Sequence, residues 1–219
     1  EHDSRFERGQ KMNVHVRGYP MNEPLQPVVR VTWQEAVAFC QWLSAKSGLR
    51  FTLPTEAQRE YACRAGADQA MWGGAFTENF AERANLAAKT ILQLPKWEVN
   101  ALNQIYNGWM PYVPGVDDGV LLTAPAGRYV ANPWGLQDMH GNAAEWTASL
   151  YQPYPYDPED GREDPTTDGA RVVRGGSWCD LPQFCTASWR IGYAAWRKVH
   201  NVGFRVVCPA DKVTAQIRP

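Results

Sequence analysis

The stretch Asn132-Pro133-Trp134-Gly135-Leu136-Gln137-Asp138-Met139-His140-Gly141-Asn142-Ala143-Ala144-Glu145-Trp146 decides how the rest of the chain is read. Within it, Asp138, Asn142 and Glu145 crowd into a glycine-containing turn. Such a turn can aim carboxylates and backbone carbonyls at one point, which is what a hard, oxygen-seeking cation requires. Residue types alone equally allow ordinary turn and surface acids, which is what most Asp and Glu side chains are. His140 sits in the same turn, but a lone histidine with no second ligand at metal spacing reads as a hydrogen-bonded loop residue.

Working toward the N-terminus, two helices announce themselves by their caps. Thr32 stands three residues before Glu35, Val37, Cys40 and Leu43 recur at helical spacing, and Gly48 supplies a stop, so a helix is predicted over Trp33 to Ser47. A short strand, Arg50-Phe51-Thr52-Leu53, ends at Pro54, and Thr55 with Gln58 caps a second helix running to near Gly66. Residues 1–30 are polar and broken by Pro20 and Pro24, which disfavours helix and predicts an extended arm. From Gly73 to about Gly127 no period dominates, and so long an irregular stretch needs something other than ladders to hold its backbone; a bound cation would serve. Strand character returns in Arg171–Arg174 and in Gly203–Cys208.

Composition narrows the function classes. The 219 residues carry a formal net charge of −1, which gives no footprint for nucleic acid or an anionic membrane. No run approaches the roughly 18 apolar residues that span a bilayer. The opening Glu1-His2-Asp3-Ser4 is not a signal peptide, so any export signal is expected to have been removed already. Ten Trp, nine Tyr and seven Phe beside eighteen Gly and sixteen Pro suit a loop-rich fold pinned by aromatic anchors. Five cysteines are too few and scattered for a disulfide framework, and none forms a zinc-type Cys-x-x-Cys pair.

Four segments, in order, resemble the formylglycine-generating enzyme (sulfatase-modifying factor) family: Pro27–Trp33 with Ala38-Phe39-Cys40, Leu53–Ala57, Asn132–Leu136 through Gly141–Trp146, and Arg174–Trp178 with Gly203-Phe204-Arg205. The resemblance implies an α+β, C-type-lectin-like fold with little regular structure, a small twisted antiparallel sheet, two helices and bound calcium. It divides the chain into an arm (1–26), the family domain (27–210) and a tail (211–219). The strands with which the family opens are not found before Pro27, so a partner chain or subunit is expected to cover the sheet edge.

The same resemblance supplies a ligand set. One calcium is expected on the Asp138 and Glu145 side chains with the Gly141 and Ala143 carbonyls, and a second on Asn85 and Asp118 with the Leu86 and Val120 carbonyls. It implies a disulfide between Cys40 and Cys208, and with it a periplasmic or extracellular setting. In the family's oxidases two cysteines bind Cu(I). Here Cys185 keeps the second position, Asp180 takes the first, and Cys179 lies one residue earlier, where an extended backbone faces the other way. A bulge could turn Cys179 back, with Ser177 lining the site; otherwise Cys185 pairs with Cys63 or packs as a small hydrophobe. Two further departures, Arg59 for a family tryptophan and Ala144 for an aromatic, weaken an inherited active site.

Copper is therefore unexpected, and the histidines His2, His15 and His200 are too scattered for non-haem iron. Trp178, Asp180, Trp189, Arg190 and Trp196 are candidates for a cleft in which guanidinium groups stack on tryptophans. The expected role is that of a non-copper accessory, binding or complex-forming module. The alternatives are a copper oxidase that converts a protein cysteine to formylglycine and a variable lectin-fold receptor.

Overall fold

The computed structural model describes residues 23–74, 80–93 and 112–209. The expected arm up to residue 22, part of the irregular stretch and the tail from 211 lie outside them.

Both helices form where their caps predict. α1 spans Trp33–Ser47: the Thr32 hydroxyl accepts from the Glu35 N–H, the Glu35 carboxylate accepts from the Thr32 N–H at 2.8 Å, and Gly48 closes the last turn at φ 72°. α2 spans Glu56–Arg64, with the same reciprocal cap between Thr55 and Gln58. Its exit is made by Ala65, held in the left-handed region at φ 46°, one residue before the expected glycine.

A four-stranded sheet carries the rest, in the order β3-β2-β1-β4, where β1 is Ala144–Leu150, β2 Ala170–Arg174, β3 Arg190–Ala194 and β4 Val202–Phe204. β1 pairs antiparallel with β2 and β2 with β3, but β4 lies parallel to β1, so the sheet is mixed rather than wholly antiparallel. The reason is the connection: after β3 the chain crosses back over the sheet through 195–201 and enters β4 running with β1. Of the expected strand at 203–208, Gly203 and Phe204 lie in β4, and beyond them the chain meets the expected 50–53 strand only in the bridge between Thr52 and Val207.

β1 is the centre of the molecule, buried along nearly its whole length on both faces. One face meets α1 in a core of Val31, Trp33, Ala36, Cys40, Leu53, Trp146, Val173 and Val202. The two indoles lock α1 and the residues just before it to the strand, Trp33 Nε1 donating to the Thr147 carbonyl and Trp146 Nε1 to the Val31 carbonyl, both at 2.9 Å. The opposite face is polar and meets α2, where Ser149 Oγ accepts the Glu56 N–H at 2.8 Å. The Glu56 carboxylate is fully buried and receives Arg174 at 2.5 Å and Arg190 at 2.8 Å. Among the described residues no helix is long and apolar enough to cross a membrane.

Candidate functional site: two acidic loops and a thiol cluster

The loop leading into β1 is pressed against the 85–86 backbone. Gly141 has φ +74°, and a side chain there would overlap the Asn85 carbonyl and the Leu86 side chain. Asn142, also left-handed at φ 63°, joins the two segments: its N–H donates to the Asn85 carbonyl at 2.8 Å and its Oδ1 accepts from the Ala124 N–H at 2.8 Å and Asn85 Nδ2 at 3.3 Å. Asp138 Oδ2 accepts from the Gly127 N–H at 2.7 Å, whereas its Oδ1 is buried without a hydrogen-bond partner.

Glu145 is covered by cations. Arg59 Nε donates to its Oε2 at 2.5 Å and Arg205 donates to both oxygens, at 2.7 and 2.6 Å. Burial alone would push this carboxyl up; Arg205 and Arg59 reverse that and hold it below the usual carboxylate range. Arg59 donates in addition to the Met139 carbonyl at 2.9 Å. Beside these groups lies a cavity of about 320 Å³ lined by Asp138, Asn142, Ala143, Glu145, Phe204 and Arg205. Both guanidinium groups pair with Glu145 and leave Asp138 Oδ1 without a donor, but their two positive charges already match the two carboxylates, so the residues present fit a further dication poorly.

The 85–118 region is arranged otherwise. Asn85 is fully buried; its Nδ2 donates to the Leu122 carbonyl at 2.6 Å and its Oδ1 has no donor. Asp118 Oδ1 accepts from the Val120 N–H at 3.0 Å and Thr90 Oγ1 at 3.1 Å, but Oδ2 is buried with no partner, and burial pushes the carboxyl up. Two buried oxygen acceptors without donors in neighbouring turns are expensive to leave so. A calcium ion fits this donor set: two side-chain oxygens of the right hardness, with the Leu86 and Val120 carbonyls in the adjoining backbone. Among the described residues no three His, Cys, Asp or Glu side chains group to hold a metal, so any ion here leans on amide and carbonyl oxygens.

The third candidate cluster follows β2. Cys179 and Cys185 are both fully buried. Cys185 packs among Met71, Phe80, Leu86 and Val116, and Gly176 lies so close to its sulfur that a Cβ there would overlap it. Burial, then the charges of Asp180 and Cys179, push its thiol well above the usual range, so it is not a thiolate. Asp180 Oδ2 accepts from Ser177 Oγ at 2.6 Å, and Ser177 Oγ accepts from Asn201 Nδ2 at 2.7 Å. Cys179 Sγ stands 3.3 Å from Ser177 Oγ, 3.5 Å from Asn201 Nδ2 and 3.8 Å from His200 Nε2. Asp180 is a hard oxygen donor where Cu(I) wants a soft one, and this is the feature of the cluster that disfavours copper.

No disulfide joins Cys40 to Cys208 or Cys63 to Cys185 in the structure, and Cys185 takes the role of a small hydrophobe. His140 is the hydrogen-bonded loop residue expected, its Nδ1 2.6 Å from the Cys185 carbonyl and its Nε2 accepting the Trp72 N–H at 3.3 Å. Trp178 and Asp180 belong to the buried thiol cluster, Trp189 stacks on Phe184, and Trp196 is 73% exposed. Arg190 stacks on Tyr151 and Tyr154 and not on a tryptophan, because Glu56 draws its charge inward. Arg59 and Asn201 were missed; the substitution at position 59 was the only visible signal for the first, and nothing in the sequence marked the second.

Known proteins bear on this geometry. Residues 3–210 match the family described as "Sulfatase-modifying factor enzyme 1-like domain". The formylglycine-generating enzyme of Streptomyces coelicolor is 32% identical over 195 residues, 86% of this chain and 54% of that protein. A mouse protein named "Inactive C-alpha-formylglycine-generating enzyme 2" is 30% identical, over 89% of this chain and 53% of that one. Among solved structures, PvdO from Pseudomonas aeruginosa superposes with a TM-score of 0.66 at 28% identity, covering 85% of this chain and 63% of that chain. The chain thus spans about half the length of the curated relatives it matches. The match from end to end of the sheet and both helices establishes that the chain belongs to the sulfatase-modifying factor (formylglycine-generating enzyme) family.

Proposed function

We propose that this domain is a copper-independent member of its family, acting as a recognition or complex-forming module whose Asn85–Asp118 region takes a structural calcium ion. The observation that carries the first part is the hydrogen-bonded Asp180–Ser177–Asn201 arrangement where a soft thiolate would be needed, with Cys185 buried as a neutral thiol beside it. The similarity to a relative whose name calls it inactive agrees with this reading. Calcium would be held by Asn85, Asp118 and the Leu86 and Val120 carbonyls, supplying the positive charge that Asp118 Oδ2 and Asn85 Oδ1 otherwise lack. That the module works with a partner protein, in an oxidising compartment where Cys40 and Cys208 would be joined, is part of the same proposal.

Anaerobic Cu(I) titration of the reduced protein tests it. The expected result is no tight stoichiometric site; one equivalent of tightly held copper that is lost on Cys185→Ser would overturn the copper-independent reading and favour the oxidase. A non-reducing peptide map tests the compartment, since a Cys40–Cys208 peptide belongs to export and reduced thiols at both positions to a reducing cytosol.

A further inference from the structure

We infer that Arg59 is a built-in cation of the 138–145 loop: its guanidinium occupies the place of a metal ion, and this loop needs none. Arg59 is 2% exposed and points from α2 into the gap between the Met139 carbonyl and the Glu145 carboxylate, donating to both. A carbonyl from the turn and a carboxylate from the strand are the two kinds of oxygen that a hard cation would gather there. The seat is shaped for a guanidinium, since Gly175 lies against it and a Cβ there would come within 2.9 Å of Arg59 Nη2.

Charge counting points the same way. Asp138 and Glu145 bring two negative charges, and Arg59 and Arg205 bring two positive ones, so a dication would leave the loop strongly positive in a half-buried setting. A guanidinium stays protonated at any working pH and is covalently attached, so no solution condition removes it. Two loops in contact through Asn142 therefore differ in kind: one carries its cation on α2 and the other must collect one. Only the second half of that contrast rests on the calcium reading above.

The test uses calcium binding and thermal melting of the whole chain in four forms. The unsubstituted protein is expected to bind a single calcium ion, and Asp118→Asn to bind none. Adding Arg59→Met to Asp118→Asn removes the guanidinium at similar length, and millimolar calcium should then raise the melting temperature by roughly 4 °C, while leaving Asp118→Asn alone unmoved. A folded double variant that ignores calcium overturns the inference. Should the double variant not fold, stoichiometry decides: an ion retained by Asp118→Asn and released by Asp138→Asn means that calcium sits beside Arg59, and the inference fails. No calcium in the unsubstituted protein sinks the Asn85–Asp118 reading and leaves Arg59 in its role.

Discussion

The Asn85–Asp118 region and the Asp138–Glu145 loop touch through Asn142, yet they differ in the cations they carry: the second holds two arginines on its buried glutamate. Among the described residues, the first leaves Asp118 Oδ2 and Asn85 Oδ1 without donors and has no arginine on either side chain, while the second leaves Asp138 Oδ1 without one but surrounds Glu145 with Arg59 and Arg205. An internal ion pair ties a loop to whatever element supplies the arginine, here α2, whereas an exchangeable ion makes a loop responsive to what surrounds it. One backbone region can thus be permanently fixed beside another that is conditional.

The largest effect that would break this contrast is at Glu145. Glu145→Ala strands the buried Arg59 charge, and urea unfolding should show a loss of about 3–5 kcal/mol. Asp118→Asn, measured without calcium, should be neutral or mildly stabilising, because it removes a buried charge that has no partner on one oxygen. Equal losses at the two positions would abolish the distinction.

Acid separates the loops by sign. Burial depresses His140 to about 4 from an ordinary 6.5, with the Arg59 charge adding to the effect and the bond to the Cys185 carbonyl opposing it. Its unfolded form therefore binds a proton first, and stability held above about pH 6.5 falls away as the pH drops toward 4, by on the order of 3 kcal/mol. His140→Gln should flatten that slope in pH-dependent urea melts. Asp118 runs the other way: its carboxyl is raised, so without calcium its contribution is present at low pH and is lost as the pH rises through its folded value.

The hinge between the loops comes next. Asn142→Ala should cost about 2 kcal/mol by thermal unfolding, through lost bonds to Ala124 and Asn85 and a left-handed φ that alanine resists. Asn142→Gly recovers the φ part alone, which apportions the two causes. The smallest effect is calcium itself. At ten times its Kd it should stabilise the unsubstituted protein by about 1.4 kcal/mol, and Asp118→Asn should erase the difference between calcium and chelator.

Much of the fold is legible in the sequence. Thr32 with Glu35 and Thr55 with Gln58 located both helices, because a cap is a local device whose two halves lie three residues apart. β1 and β3 were not seen. Alternation is present in β1, but its polar residues Glu145, Thr147 and Ser149 read as a solvent face when they are in fact buried, satisfied by Arg59 on α2, by β2 and by the 163 region instead of water. The parallel entry of β4 was equally hidden, since it depends on how 195–201 crosses the sheet. At the sites, spacing and resemblance located the carboxylates, but which of them meets an arginine is fixed by the packing of α2 against β1, a contact between residues far apart in sequence.

The central position of β1 sets the order of assembly. α1 and α2 are complete well before β1 is synthesised, and β4, which closes the sheet on its far side, comes last. Trp33 and Val31 have no carbonyl or indole to meet until Thr147 and Trp146 are made, so the apolar face of the α1 segment has no cover from β1 before then. Closure through such distant pairings is slow. Covering that segment until the sheet arrives is a task suited to a chaperone, and a translational pause before β1 would lengthen the exposure.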